Sequence, residues 1–357
     1  MRLSTCSCGQ LVYFENTFCT RCEAILGFDA QTLEVHSFAA SPDGLLTLIN
    51  SERSVQYRYC ANGSTHGACN WVLRADDPNE FCQACRLNRT IPDLSFGNNA
   101  ELWKKLEVEK RRLVYSLLSL ELPLAPTEPG APQLAFDFLA EPNAITDKSQ
   151  RVMTGHADGL ITININEANP SHREHMREAM EEPYRTLLGH FRHESGHYYW
   201  DLLVRNSHWL EPVRALFGDD TLDYGAALAA HYEQGPVQDW QAHYVSSYAS
   251  SHPWEDWAET WAHYLHIIDT LETAHAFGMK IAPHVSNNKN LKTNTDISPY
   301  DGKTFDHIIQ HWLPLTYALN SLNRSVGHSH AYPFVLAKPV IEKLDLVHRI
   351  VHEKPKP

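Results

Sequence analysis

The residues best placed to do chemistry are His193-Glu194-Ser195-Gly196-His197. On a helix, positions four apart share one face, so both imidazoles can reach a single metal ion, and Glu194 beside them can take a proton from a metal-activated water. The chain holds 22 histidines, so this spacing alone carries little weight and its surroundings must carry more. Leu187, Leu188, Phe191, Trp200, Leu202 and Leu203 flank the motif and predict a buried helix over Pro183–Leu203, with proline at its start. Burying two histidines and a glutamate without partners is costly, and a metal ion removes that cost.

A third protein ligand is expected downstream, on a helix predicted from Trp254 to Ala274 and entered through His252-Pro253. Glu255 and Glu259 lie one turn apart on it, among Trp254, Trp257 and Trp261. In zinc peptidases of the glutamate-ligand type one acid binds the metal, and another fixes the tautomer of a ligand histidine from behind. Glu255 is assigned to the metal and Glu259 to the supporting role, with the reverse order left open. His263 and His266 are read as supporting or surface groups.

The eight cysteines form a second kind of site. Cys6, Cys8, Cys19 and Cys22 make one quartet, and Cys60, Cys69, Cys82 and Cys85 another. Short thiolate pairs of this kind suit tetrahedral zinc with all four positions filled, which folds a module and leaves no place for substrate. Three zinc ions are therefore expected, one catalytic and two structural.

Residues 1–98 read as a double zinc-ribbon module and 99–126 as a helix followed by a Pro-rich linker. Residues 127–357 read as a metallopeptidase domain, mainly helical with a small sheet. The helix carries Leu102, Leu106, Leu113 and Leu117 at helical spacing, and its charge run from Lys104 to Arg112 reads as a solvated face. Gly159–Ile165 reads as a strand and a candidate edge for pairing with an extended peptide, with His156 and Asp158 before it as candidate substrate rim. Further helices are predicted at Phe305–Leu322 and Ala337–His352. The fold class is α+β.

Composition excludes several functions. A net charge of -13 repels polyanions, so no nucleic-acid partner is expected. No apolar run approaches a membrane span, and Met1–Cys6 has no signal-peptide core, so a cytoplasmic address without a membrane partner is expected.

Tyr248-Ala-Ser-Ser-His-Pro-Trp-Glu-Asp-Trp-Ala-Glu-Thr-Trp-Ala262 resembles the segment supplying the third zinc ligand in anthrax lethal factor and the related Mlc titration factor peptidases. The resemblance implies that Glu255 is the ligand and that Tyr248 is an active-site tyrosine donating to the oxyanion. Over nearly the whole chain the sequence resembles a bacterial family of zinc-binding metallopeptidases with N-terminal zinc ribbons. That match rests on the cysteine quartets, Phe81–Asp93, Thr154–Gly159, His190–Glu194 and His252–Glu259. The expectation is a zincin-like, gluzincin-type domain that hydrolyses peptide or protein substrates, with a candidate protein partner at the ribbons. The alternatives are a non-catalytic zinc-ribbon adaptor whose large domain merely holds a metal, and a zinc hydrolase of non-peptide amides.

Overall fold

The computed structural model describes residues 1–50, 55–125, 132–141, 152–179, 186–296, 298–300 and 304–353, with 176–179 in backbone only. They fall into two compact units interleaved along the chain. The first holds 1–121, 134–155 and 160–173, and the second holds 122–133, 156–159 and 174–357.

The first unit begins with a small antiparallel pair, β1 (Ser4–Thr5) and β2 (Leu11–Val12). It continues into a closed five-stranded barrel of β3 (Ile25–Asp29), β4 (Glu34–Ala40), β5 (Leu46–Leu48), β6 (Gln56–Tyr59) and β7 (Trp71–Arg74). Neighbours run antiparallel until β7 closes the barrel alongside β3 in parallel, with Phe28 opposite Trp71. Closure leaves the barrel without free strand edges. Phe38, Leu46 and Val72 form its buried interior. Helix α1 (Ala61–His66) lies between β6 and β7 in the chain. It ends on Gly67, whose φ of 59° is the left-handed conformation that favours glycine.

Helix α2 (Asn99–Ser119) buries Leu102, Leu106, Leu113 and Leu117 as their spacing requires, and Tyr115 joins Phe14, Phe28 and Trp71 in an aromatic cluster. Its charge run is only in part the solvated face expected, since Lys104 and Lys105 are exposed but others are not. Glu107, Lys110 and Arg111 are buried. Lys110 donates to Glu107 at 2.9 Å and to Asn88, and Arg111 donates to the Ala68 carbonyl. The reason is the neighbouring thiol cluster, described below, which needs positive charge in the interior.

Strands β8 (Asn88–Thr90), β9 (Ala135–Leu139), β10 (Gly155–Ala157) and β11 (Leu160–Asn164) form a sheet in the order β10-β11-β9-β8. The strand expected as a free edge, β11, is therefore interior, with β9 parallel on one side and its hairpin partner β10 on the other. Asp158 (φ 49°) and Gly159 (φ 84°) make the tight turn that folds β10 back onto it. A side chain at 159 would meet the Gln133 carbonyl oxygen at 2.6 Å, so only glycine fits.

Helix α3 (Pro170–Ala179) follows. The second unit is built on α4 (Leu187–Leu203), α5 (Leu210–Phe217), α6 (Tyr224–Gln234) and α7 (Pro253–Ala276). A short pair, β12 (Lys280–Ile281) and β13 (Thr293–Asn294), precedes α8 (Phe305–Ser325) and α9 (Lys338–His352). The start predicted for α4, Pro183, lies outside the described residues. The described helix opens at Leu187, where the Thr186 hydroxyl accepts from Gly189 N at 3.0 Å. Among the described residues, no helix is long and apolar enough to cross a membrane.

Candidate metal centres

Two helices bring the His/Glu residues together. Helix α7 starts where predicted: Pro253 occupies its first turn, and His252 Nδ1 accepts from Trp254 N at 3.0 Å. Helices α4 and α7 pack along aromatic side chains, with Tyr199 stacked on Trp261 at 4.8 Å and Trp200 edge-on to Trp257 at 5.5 Å. Gly196 permits this approach, since a Cβ there would sit 2.9 Å from Ala258 Cα. Two indoles pin the same turn: Trp257 Nε1 donates to the Gly196 carbonyl at 2.8 Å, and Trp261 Nε1 to Ser195 Oγ at 3.2 Å. The motif's turn is thus fixed against the helix carrying the acids.

His193, His197 and Glu255 each offer one ligand atom, all within 4.8 Å of one another. Glu255 Oε2 lies 2.9 Å from His193 Nε2 and 3.6 Å from His197 Nε2. It receives a well-directed hydrogen bond from no described residue, although it is buried. A buried carboxylate oxygen facing two imidazole nitrogens and otherwise unsatisfied is what a cation would complete. Two nitrogens and one oxygen at these separations match the borderline-soft, open donor set of zinc with a remaining position for water. The residues present therefore fit the ion.

Glu259 sits behind His193. Its Oε1 lies 2.7 Å from His193 Nδ1, and its Oε2 accepts from Ser246 Oγ at 2.6 Å. Of the two orders left open by sequence, Glu255 is thus the acid facing both Nε2 atoms, and Glu259 the acid at His193 Nδ1. Burial would raise the Glu259 carboxyl, but His193 brings it down to about 2. Burial likewise opposes the Glu255 charge, and the two imidazoles hold that carboxyl well below the usual range. Burial alone would lower His193, yet its two carboxylate partners push it well above the ordinary histidine value. His197 is steadied differently, by Trp254, whose ring lies 3.9 Å away.

Glu194 shares the turn and remains partly exposed. Burial raises its carboxyl, while His193 and His197 pull it down. Tyr248 places its ring 5.9 Å from that of His193. Burial and the charge of Glu255 raise its phenol, which keeps the hydroxyl protonated as a donor. His156 lies 5.9 Å from the His197 ring, its Nε2 accepts from Gly159 N at 3.0 Å, and burial lowers it to about 4. Asp158 is exposed in the hairpin turn. His263 is buried and His266 half-buried behind the site, bonded to Tyr332 and Arg192 respectively.

Two residues at the centre escaped sequence reasoning: Ser246, which donates to Glu259 Oε2, and Tyr224. Tyr224, at the start of α6, donates its hydroxyl to Glu255 Oε1 at 2.6 Å. The sole signal was indirect: a tyrosine after Asp223, a typical helix-capping residue, whose side chain accepts from Ala226 N at 2.9 Å.

Each cysteine quartet also converges. Sγ separations of 3.4 Å (Cys6–Cys22), 3.7 Å (Cys8–Cys19) and 3.8 Å (Cys69–Cys82) bracket the roughly 3.8 Å that a tetrahedron with Zn–S near 2.3 Å requires. Donors support the sulfurs: Ser37 Oγ to Cys6 at 3.3 Å, Cys82 N to Cys60 at 3.3 Å and Trp71 N to Cys69 at 3.4 Å. In the second quartet all four thiols are buried. A divalent ion leaves four thiolates with two negative charges in excess, and Lys110 and Arg111 lie buried beside them. Burial raises the Glu107 carboxyl, which disfavours adding a third.

Two family models match the chain. One, described as "Putative zinc-binding metallo-peptidase", spans residues 99–350, and the other, a zinc-ribbon domain, spans residues 3–96. Uncharacterized proteins of Mycobacterium tuberculosis (strain ATCC 25618 / H37Rv) and Mycobacterium bovis are each 40% identical to it over 352 residues, which cover 97% of this chain and 94% of theirs. No solved structure matches it significantly.

Proposed function

From the premise that this chain belongs to the zinc-binding metallopeptidase family with an N-terminal zinc ribbon, we propose that it hydrolyses peptide bonds at the His193/His197/Glu255 centre, as a gluzincin-type enzyme of the cytoplasm. The observation that carries this reading is the buried Glu255 oxygen facing two imidazole nitrogens on a helix turn that also presents Glu194. When bound, zinc supplies Lewis-acid polarisation and water activation at neutral pH.

The chain's own residues do the rest. Glu194 accepts a proton from the attacking water and delivers it to the leaving amine, and its raised carboxyl suits both halves of that exchange. Tyr248 donates a hydrogen bond to the substrate oxygen as charge builds there. Glu259 and Ser246 hold His193 in the tautomer that keeps Nε2 free. His156 and Asp158 border the peptide. Each cysteine quartet holds a further zinc ion and folds the module, giving three ions per chain.

The test is cleavage of a mixed peptide library by the purified full-length chain, read by mass spectrometry. The wild-type chain should carry three zinc ions and cleave; Glu194→Ala should carry three and lose cleavage by at least about 100-fold, the lower end for a lost general base. Equal cleavage by both proteins overturns the reading.

A further inference from the structure

Helix α6 contributes no buried residue. Its sequence, Tyr-Gly-Ala-Ala-Leu-Ala-Ala-His-Tyr-Glu-Gln, is nonetheless apolar over most of its length, and Tyr224 and Tyr232 are exposed. Helices of folded chains ordinarily buy their place by burying a stripe, so core packing does not explain why α6 is seated at the metal centre. Its contacts there are specific. The Tyr224 ring stands edge-on to His252 and Trp254 at 5.3 and 5.6 Å, and the His231 ring faces Tyr248 at 6.1 Å. The Tyr224 hydroxyl donates to Glu255 Oε1 at 2.6 Å, while Oε2 of the same carboxylate faces the imidazoles.

We propose that Tyr224 is a positioning residue that holds Glu255 in a one-oxygen presentation to the metal and, through the same hydrogen bond, couples metal affinity to the seating of α6. This rests on the metal-site reading above. A neutral phenol does this without adding charge. Chelation through both oxygens would disturb the hydrogen bond that Oε1 accepts, so the phenol favours one-oxygen binding and an open coordination position for water. Coupling free energies are reciprocal: if the seated helix raises zinc affinity by some factor, bound zinc favours seating by the same factor. A helix with no buried face is held by few interactions, so a single hydrogen bond controls a large share of its seating.

The experiment uses the full-length chain with both cysteine sites filled, and Tyr224→Phe, which keeps the ring and removes the hydroxyl. Zinc affinity at the His/Glu centre is measured by chelator competition, and hydrogen exchange over residues 224–234 is followed with and without zinc there. Tyr224→Phe should weaken zinc about 10- to 100-fold, the usual effect of losing a ligand's hydrogen-bonding partner. Zinc should slow exchange across α6 in the wild type by a comparable factor and no longer do so in the variant. A merely structural tyrosine would lower the stability of the form lacking zinc at this centre and leave the affinity alone. Unchanged affinity in Tyr224→Phe, or equal protection of α6 by zinc in both proteins, overturns the proposal. A His193→Ala variant that still binds zinc at this centre would instead remove the metal-site reading on which it stands.

Discussion

Glu259→Gln separates charge from geometry at the metal centre. In the wild type the carboxylate sits 2.7 Å from His193 Nδ1 and accepts from Ser246 Oγ at 2.6 Å. Held down to about 2, it is ionised at any pH where the protein would be handled. A glutamine keeps an acceptor for His193 Nδ1–H and turns its amide N–H toward Ser246, whose hydroxyl can rotate to accept. Both hydrogen bonds survive, and only the negative charge behind the imidazole is lost. That charge makes Nε2 a better ligand, and losing such support ordinarily costs about 10- to 100-fold in metal affinity, or roughly 1.4 to 2.7 kcal/mol. Competition against a chelator, with the cysteine sites saturated, should show this weakening together with a parallel loss of peptide cleavage at limiting zinc. Glu259→Ala, which also frees the imidazole to rotate, should fall further. If Glu259→Gln and Glu259→Ala both bind zinc within twofold of the wild type, Glu259 does not act through His193.

Two further outcomes follow from the same geometry. His193 is raised well above the ordinary histidine value without metal, so near pH 7 it carries a proton that zinc must displace. Calorimetry in buffers of different ionisation enthalpy should therefore show about one proton released per ion bound at this centre, with affinity rising as pH rises toward that raised value; absence of proton release would contradict the His193–carboxylate arrangement. Gly196→Ala drives a methyl to 2.9 Å from Ala258 Cα, where backbone must yield, so thermal unfolding should report a loss of about 1–3 kcal/mol and zinc affinity should fall with it as the helices part. A variant as stable as the wild type would show that α4 and α7 approach less closely than described.

The metal centre was legible because its parts obey local rules. Histidines four apart, an acid pair four apart and a proline at the helix start are all read within one or two turns, and burial of the surrounding tryptophans forces the two helices together. The cysteine quartets were legible for the same reason. The barrel was not: strands of three to seven residues closed by a parallel β3–β7 contact leave no periodic signal long enough to read. Nor could β11 be recognised as interior, because its neighbour β10 has only three residues and depends on the Asp158-Gly159 turn. The charge run of α2 misled for a physical reason. Charged residues normally face water, but buried thiolates reverse the preference for Lys110 and Arg111, and no helical periodicity encodes a charge supplied from 25 residues or more upstream. Tyr224 carries no motif at all; its importance exists only once α6 and α7 are folded.

The pairing of Lys110 and Arg111 with the second cysteine cluster reaches beyond electrostatics into how such a protein can be taken apart. The cysteines fall in the stretch matched as a zinc ribbon, while the two cations fall in the stretch matched as a metallopeptidase, yet all belong to one compact unit. A cut at the seam between those stretches would separate Lys110 and Arg111, together with their partner Glu107, from the thiolate cluster they lie beside, and would leave the excess charge of that buried cluster unbalanced. A ribbon separated at that seam should therefore be less stable unless the helix that neutralises its second cluster goes with it.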